Sequence, residues 1–186
     1  MDSNHSIFAH QIETILNLAP HFKNVIVITR KVGKKDLIDL PKNIQVLSFR
    51  WRNNFRYLNL ISYLYLLVKT IKKYKINLTF FHMTEFEAVV SLPFLKSKKI
   101  PTMLWYAHAS KSNYLKIFNT FGDLICTSTR GSCPIESKKV RYLGQSINTE
   151  TFFAKCKPKK NLSKFVHIGR LDKSKNIELI LDTLFK

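Results

Sequence analysis

The chain is short of the residues that would tie it to several common protein classes. Its 186 residues hold three cysteines, Cys126, Cys133 and Cys156. They are odd in number, form no C-x-x-C and have no histidine cluster beside them, which argues against a disulfide framework and a thiolate zinc site. They read as reduced thiols of a cytosolic protein. Five glycines and six prolines are too few for a low-complexity or disordered chain. No apolar run approaches the roughly 20 residues that a membrane-crossing helix needs. The polar start MDSNHS does not fit a secretory leader, so none is expected. Acidic residues are scarce as well: there are 12 Asp and Glu against 31 Lys and Arg, a formal charge of +19. Such an imbalance predicts an anionic partner, whether a phosphate ligand, a lipid headgroup or nucleic acid. An AT-rich genome, which inflates Lys, Asn and Ile, accounts for much of the same bias without any partner.

What is present is a 45% apolar fraction, enough for the core of one domain or one and a fraction. Residues 7–18 carry Ile7, Phe8, Ile12, Ile15 and Leu16 at helical spacing, and 24–29, NVIVIT, is a fully apolar strand of the parallel type. A basic loop over 31–41 leads to a strand at 44–49. The RWRNNFR run at 50–56 suits a loop whose aromatics cap the core; its alternation of aromatics with Arg also suits base stacking or a headgroup layer. Residues 57–74 make the clearest helix. Leu60, Ile61, Leu64, Leu67, Val68 and Ile71 fall on one face, with Lys69 and Lys73 on the far side. Leu66, flanked by Tyr63 and Tyr65, leaves that far side partly greasy. Such a helix suits an ordinary sheet cover, and a membrane surface too, since the two use different faces.

Strands follow at 76–82 and 100–108, around a helix at 85–95 interrupted by Pro93. A short helix or loop covers 110–121, and a strand covers 123–129. This alternation with short links predicts an α/β fold built on a doubly wound parallel sheet. His82 and His108 fall at the C-terminal ends of strands, where such sheets place ligands and where plain polar rim residues also sit.

The stretch 165–177, FVHIGRLDKSKNI, concentrates the remaining chemistry. Residues 165–168 alternate like a short buried strand, Gly169 ends it, and Arg170 and Lys175 follow. The segment 176–186 then reads as a helix with Ile177, Ile180, Leu181 and Leu184 on one face. A guanidinium fork, an ammonium and the free N–H groups of a helix start would together hold a phosphate. The same residues also suit a solvated Lys-rich turn.

GRLDKSKNIELIL resembles the GR-(x)4-K-(G/N) segment that opens the donor domain of GT-B glycosyltransferases, particularly those of family 4. In that family the Arg and Lys hold the diphosphate of a nucleotide-sugar, which implies these roles for Arg170 and Lys175, beside Gly169. WYAH at 105–108 is similar to the family's W-x-x-H segment, whose His lines the cleft near the transferred sugar; this implies a catalytic place for His108. His82 takes the position of another strand-end residue of the site. DLICTST at 123–129 resembles D-x-I-(x)3-S, and VRYLGQSINTETFF at 140–153 resembles the segment leading out of the first domain, with Ser146 where Gly is usual. The resemblance covers nearly the whole chain, with the motifs in the family's order.

The resemblance implies a Rossmann-like acceptor-side domain over 1–153, a linker over 154–164, and the first strand and helix of a donor-binding domain over 165–186. A strand and Gly-rich loop precede the first helix in the family, and an E-(x)7-E pair lies further on. The chain is therefore expected to be truncated at both ends, with unpaired edges where a central strand is missing. The implied activity is retaining transfer of a sugar from a nucleotide-diphosphate sugar to a hydroxyl acceptor, in cell-surface polysaccharide or glycolipid synthesis. No metal and no further cofactor are implied, and this chain alone is expected to turn over weakly or not at all. Implied partners are the nucleotide-sugar, a sugar or lipid-linked acceptor, an anionic membrane surface at the inner face, and a complementary chain supplying the donor domain. Nucleic acid is not expected. A basic nucleic-acid-binding protein and a non-catalytic membrane- or subunit-docking remnant are the other two readings of the charge.

Overall fold

The structure, a computed structural model, describes residues 10–32, 40–49, 51–146, 149–150, 153, 166–169 and 173–184. The chain forms two compact units, Met1–Gln145 and Ser146–Lys186. In the first, helices and strands alternate as α1 (His10–Leu18), β1 (Val25–Thr29), β2 (Ile44–Ser48), α2 (Arg56–Lys73), β3 (Thr79–His82) and α3 (Glu85–Ser97). Then come β4 (Thr102–Trp105), α4 (Asn113–Phe121), β5 (Leu124–Thr127) and β6 (Val140–Tyr142). Every strand pairing is parallel, because each link between neighbours is long enough to cross back over the sheet. The result is α/β and Rossmann-like, as the alternation predicts.

The strands fall into two hydrogen-bonded sets. β1 and β2 pair in register from Val25↔Ile44 to Thr29↔Ser48. β3, β4, β5 and β6 form a second sheet in that order. Among the described strands β1 pairs with β2 alone and β3 with β4 alone, so each keeps one open edge. β2 and β6 likewise have one partner each among the described strands.

The core lies where α3 and α4 cover the second sheet. Leu104 of β4, Ile125 of β5, Leu95 of α3, and Leu115 and Phe118 of α4 are completely buried. Each such side chain contributes about 1.5–3 kcal/mol over staying exposed. Gly122 lets the chain leave α4 beneath Phe118, since a Cβ there would lie 2.5 Å from the ring. The ammonium of Lys139 closes the same helix end by donating to the carbonyls of Asn119, Thr120 and Gly122, each at 2.8 Å. A cation there meets the negative end of the helix dipole. Asp123 ties three elements together. It accepts from the Thr102 N–H and hydroxyl, both at 2.8 Å, and from Lys96 at the end of α3.

Three elements differ from the sequence-based expectation. The buried side of α2 is Asn59, Tyr63, Leu67 and Thr70; of the expected face Leu67 is buried, Ile71 packs against the core and Leu60, Leu64 and Val68 are half-buried, while Ile61 is 63% exposed. The helix is apolar almost all round, so specific polar bonds choose its rotation. The Tyr63 hydroxyl lies 2.7 Å from that of Ser91, and the Asn59 amide exchanges two 2.8 Å bonds with the Arg52 backbone. Pro93 does not interrupt α3, which runs from Glu85 to Ser97. Pro93 is exposed, and buried Leu92 and Leu95 anchor the helix on both sides of it, offsetting the ~3 kcal/mol cost of an interior proline. In the second unit, residues 166–168 are not a strand. Ile168 is 92% exposed, and among the described residues no strand pairs with it. The expected helix is there: α5 spans Ile177–Leu184 after a 3-10 turn at Lys173–Lys175.

Candidate functional site

The carboxyl ends of β3 to β6 make a common rim, the place where parallel sheets offer backbone ends and helix N-termini to ligands. Sequence-predicted His82 is the last residue of β3 and is half-buried. It pairs in register with Trp105, and the two rings lie parallel with centroids 6.4 Å apart. Met83 next to it adopts φ +56°, a left-handed conformation uncommon outside glycine, and its sulfur accepts the Ala107 N–H at 3.1 Å. These contacts join the turn after β3 to the loop after β4.

His108 lies three residues past the end of β4, in that loop, and its ring is exposed. Its backbone N–H donates to the Ser132 carbonyl at 2.8 Å. Its Nδ1 accepts the Ser110 N–H at 3.0 Å and lies 2.7 Å from the Ser110 hydroxyl. A backbone N–H can only donate, so Nδ1 is an acceptor and the neutral ring carries its proton on Nε2. The loop is further pinned by buried Tyr106, whose hydroxyl donates to the Ser110 carbonyl. Ser132 in turn bonds to the hydroxyls of Ser128 and Thr129 at 3.0 and 2.8 Å. The hydroxyl of Thr127, at the end of β5, is buried with no hydrogen-bond partner among the described residues.

Two thiols sit in this unit, and neither is a nucleophile in waiting. Cys126 and Cys133 are buried, and burial pushes both thiols up from their ordinary range. Among the described residues no group of three His, Cys, Asp or Glu side chains converges as metal ligands do.

The second unit carries the other predicted residues. Gly169 and Lys175 are exposed, while Arg170 lies outside the described residues. Lys175 ends the 3-10 turn, and Asn176 takes φ +49° before α5 begins. That left-handed region is open to Gly and, among the rest, most readily to Asn and Asp. It explains physically why an Asn stands after Lys175 here. The Asn176 carbonyl already accepts the Ile180 N–H at 3.1 Å, so the turn delivers the chain straight into helix. The structure thus places His82 and His108 on the carboxyl side of the neighbouring strands β3 and β4, while Gly169 lies in a bend and Lys175 ends a 3-10 turn, with 170–172 outside the described residues.

Sequence reasoning missed the residues that orient His108. The signal was a serine two residues on, in H-A-S, where a short polar side chain and its own N–H can both reach back. It also missed Asp123 and Lys139 as organisers of helix ends, because their partners are about 20 residues away. No protein-family model matches the chain, and no curated protein matches it either.

Proposed function

We propose that the chain is a retaining glycosyltransferase of the GT-B kind, or part of one. It would move a sugar from a nucleotide-diphosphate donor to a hydroxyl acceptor in cell-surface polysaccharide or glycolipid synthesis. The observation that carries this reading is the His108 ring, held through Nδ1 so that Nε2–H is offered at the carboxyl rim of a parallel sheet. An Nε2–H donor suits a sugar hydroxyl: it orients the ring without competing for the anomeric centre. The difficult step of such a transfer is the charge that builds on the departing diphosphate. Lys175, with Arg170 and the first N–H groups of α5, would stabilise that charge without a metal.

The test is an NMR titration of the chain with UDP and GDP. Binding weaker than micromolar is expected, because Lys175 is exposed and solvent screens its charge. Amide shifts should centre on Gly169, Lys175 and Asn176 and vanish in Lys175→Ala. His108→Ala should leave diphosphate binding unchanged. Unmoved amides around Lys175 at millimolar diphosphate would sink the proposal.

A further inference from the structure

Helix α2 presents two faces, and its buried side leaves the other with an unusual composition. Tyr57 is 84% exposed, Leu58 43%, Ile61 63% and Tyr65 69%. At 100° per residue these four side chains lie on one stripe, opposite Asn59, Tyr63, Leu67 and Thr70. Exposed cations lie at both ends of the helix: Arg52 and Arg56 before and at its start, and Lys69 and Lys72, which lie beside the stripe, near its end. Between Arg56 and Lys69 lie ~20 Å of helix without a charge. From residue 40 to residue 84 the chain has no Asp or Glu at all. The start of the helix also borders an open hollow of about 570 Å³ lined by Trp51, Asn54, Arg56, Tyr57 and Asn59.

We propose that this outward face of α2 is a docking surface for an anionic lipid bilayer. The charge defines the partner's sign, and the order of residues along the helix selects a bilayer. A polyanion such as nucleic acid is gripped by cations distributed along the contact, which here occur only at the two ends. An aliphatic pair, Leu58 and Ile61, between two tyrosines matches the acyl boundary of a membrane, where tyrosine rings sit at headgroup depth. The Lys69 and Lys72 side chains are long enough to reach phosphates while their stems stay against the apolar stripe. The hollow beside Arg56 has room for one phosphate headgroup. No helix among the described residues is long and apolar enough to cross a membrane, so the contact is in the plane of the surface. This proposal does not depend on the sugar-transfer reading, which concerns other elements.

The test is co-sedimentation of the full chain with vesicles of phosphatidylcholine, with and without 40% phosphatidylglycerol (about 4 in 10 lipids anionic, the usual range for such assays). Pelleting is expected only with the anionic vesicles, and it should weaken as salt rises. Three variants separate the contributions. Tyr57→Ser/Ile61→Ser/Tyr65→Ser should raise the lipid needed for half-binding at least about tenfold, since the apolar area is lost. Lys69→Gln and Lys72→Gln should each cost about fivefold. All these positions are exposed, and unchanged circular dichroism and urea midpoint would show that the fold persists. A triple variant that pellets like the parent would overturn the proposal and leave a charge-only partner such as nucleic acid. Equal binding to neutral vesicles, or none to anionic vesicles at low salt, would also overturn it.

Discussion

The Ser110 N–H donates to Nδ1 of His108 at 3.0 Å, and this one bond decides which nitrogen the ring offers to a ligand. Two residues of spacing suffice, because the bond closes a tight turn within the loop after β4. Ser110→Ala keeps the backbone donor and loses only the hydroxyl. Its imidazole should therefore retain the Nε2–H form, visible in the nitrogen-15 shifts of the two ring nitrogens. Ser110→Pro removes the donor, and the ring should then populate both neutral forms. An unchanged tautomer in the proline variant would show that something other than this N–H holds the ring.

Asp123 predicts how stability responds to acid. Burial raises its carboxyl, but the bonds from Lys96 and Thr102 outweigh that and hold it below its ordinary value. A carboxyl lowered in the folded state adds stability above its unfolded value near pH 4, and that contribution is lost as pH falls through the folded value. Asp123→Asn should be less stable than the parent at neutral pH. The gap should close below about pH 4. Because the carboxylate is partly exposed, added salt should narrow it as well. Urea midpoints of the two proteins from pH 2 to 7 test this, and a gap that stays constant would rule out the carboxylate charge as its source.

Much of the fold is legible in local pattern. NVIVIT has the continuous apolar run of a strand buried in a parallel sheet, and the helix lengths between strands allow only crossover links. What local pattern cannot see is choice among apolar faces. In α2 the apolar pattern points the right way at Leu67 and Ile71 but not at Ile61, and the rotation comes from Tyr63 meeting Ser91, 28 residues away. The stretch 165–168 shows the converse. Its alternation is that of a strand, but a strand exists only where another edge accepts it, and that information is not in the segment. His82 was readable as the end of β3 from its position, whereas His108 lies three residues past β4, which ends at Trp105, and the orientation of its ring needed the geometry of Ser110. Lys175 and Asn176 were readable as a turn into a helix.

Lys139 supplies a third prediction. Its ammonium satisfies three carbonyls at the end of α4, and those acceptors have no helical N–H to turn to. Lys139→Met keeps most of the stem and removes the charge. It should destabilise the first unit by about 2 kcal/mol, the upper range for a cation at a partly buried helix end. Lys139→Arg, with a planar fork that cannot converge on three carbonyls from one nitrogen, should recover only part of this. Urea unfolding with an unchanged slope is the measurement, and a loss below about 0.5 kcal/mol would mean that solvent replaces the cap at little cost.

Tyr63 links the rotation of α2 to alkaline stability. Its ring is 6% exposed and its hydroxyl donates to that of Ser91, which directs its own proton to the Glu87 carbonyl. Burial is the main reason its pKa rises to about 12 from the ordinary 10.0. A group raised in the folded state gives its full contribution below its unfolded value and loses it as pH climbs through the folded one. The parent should therefore outlast Tyr63→Phe at neutral pH by about 1 kcal/mol, the net worth of one buried hydrogen bond. That advantage should shrink between pH 10 and 12, where the unfolded phenol ionises and the folded one does not. Lysines titrate in the same range but are common to both proteins and cancel in the difference. If the advantage instead held constant to pH 12, the hydroxyl would have to be open to solvent, and α2 would have to be turned to another face.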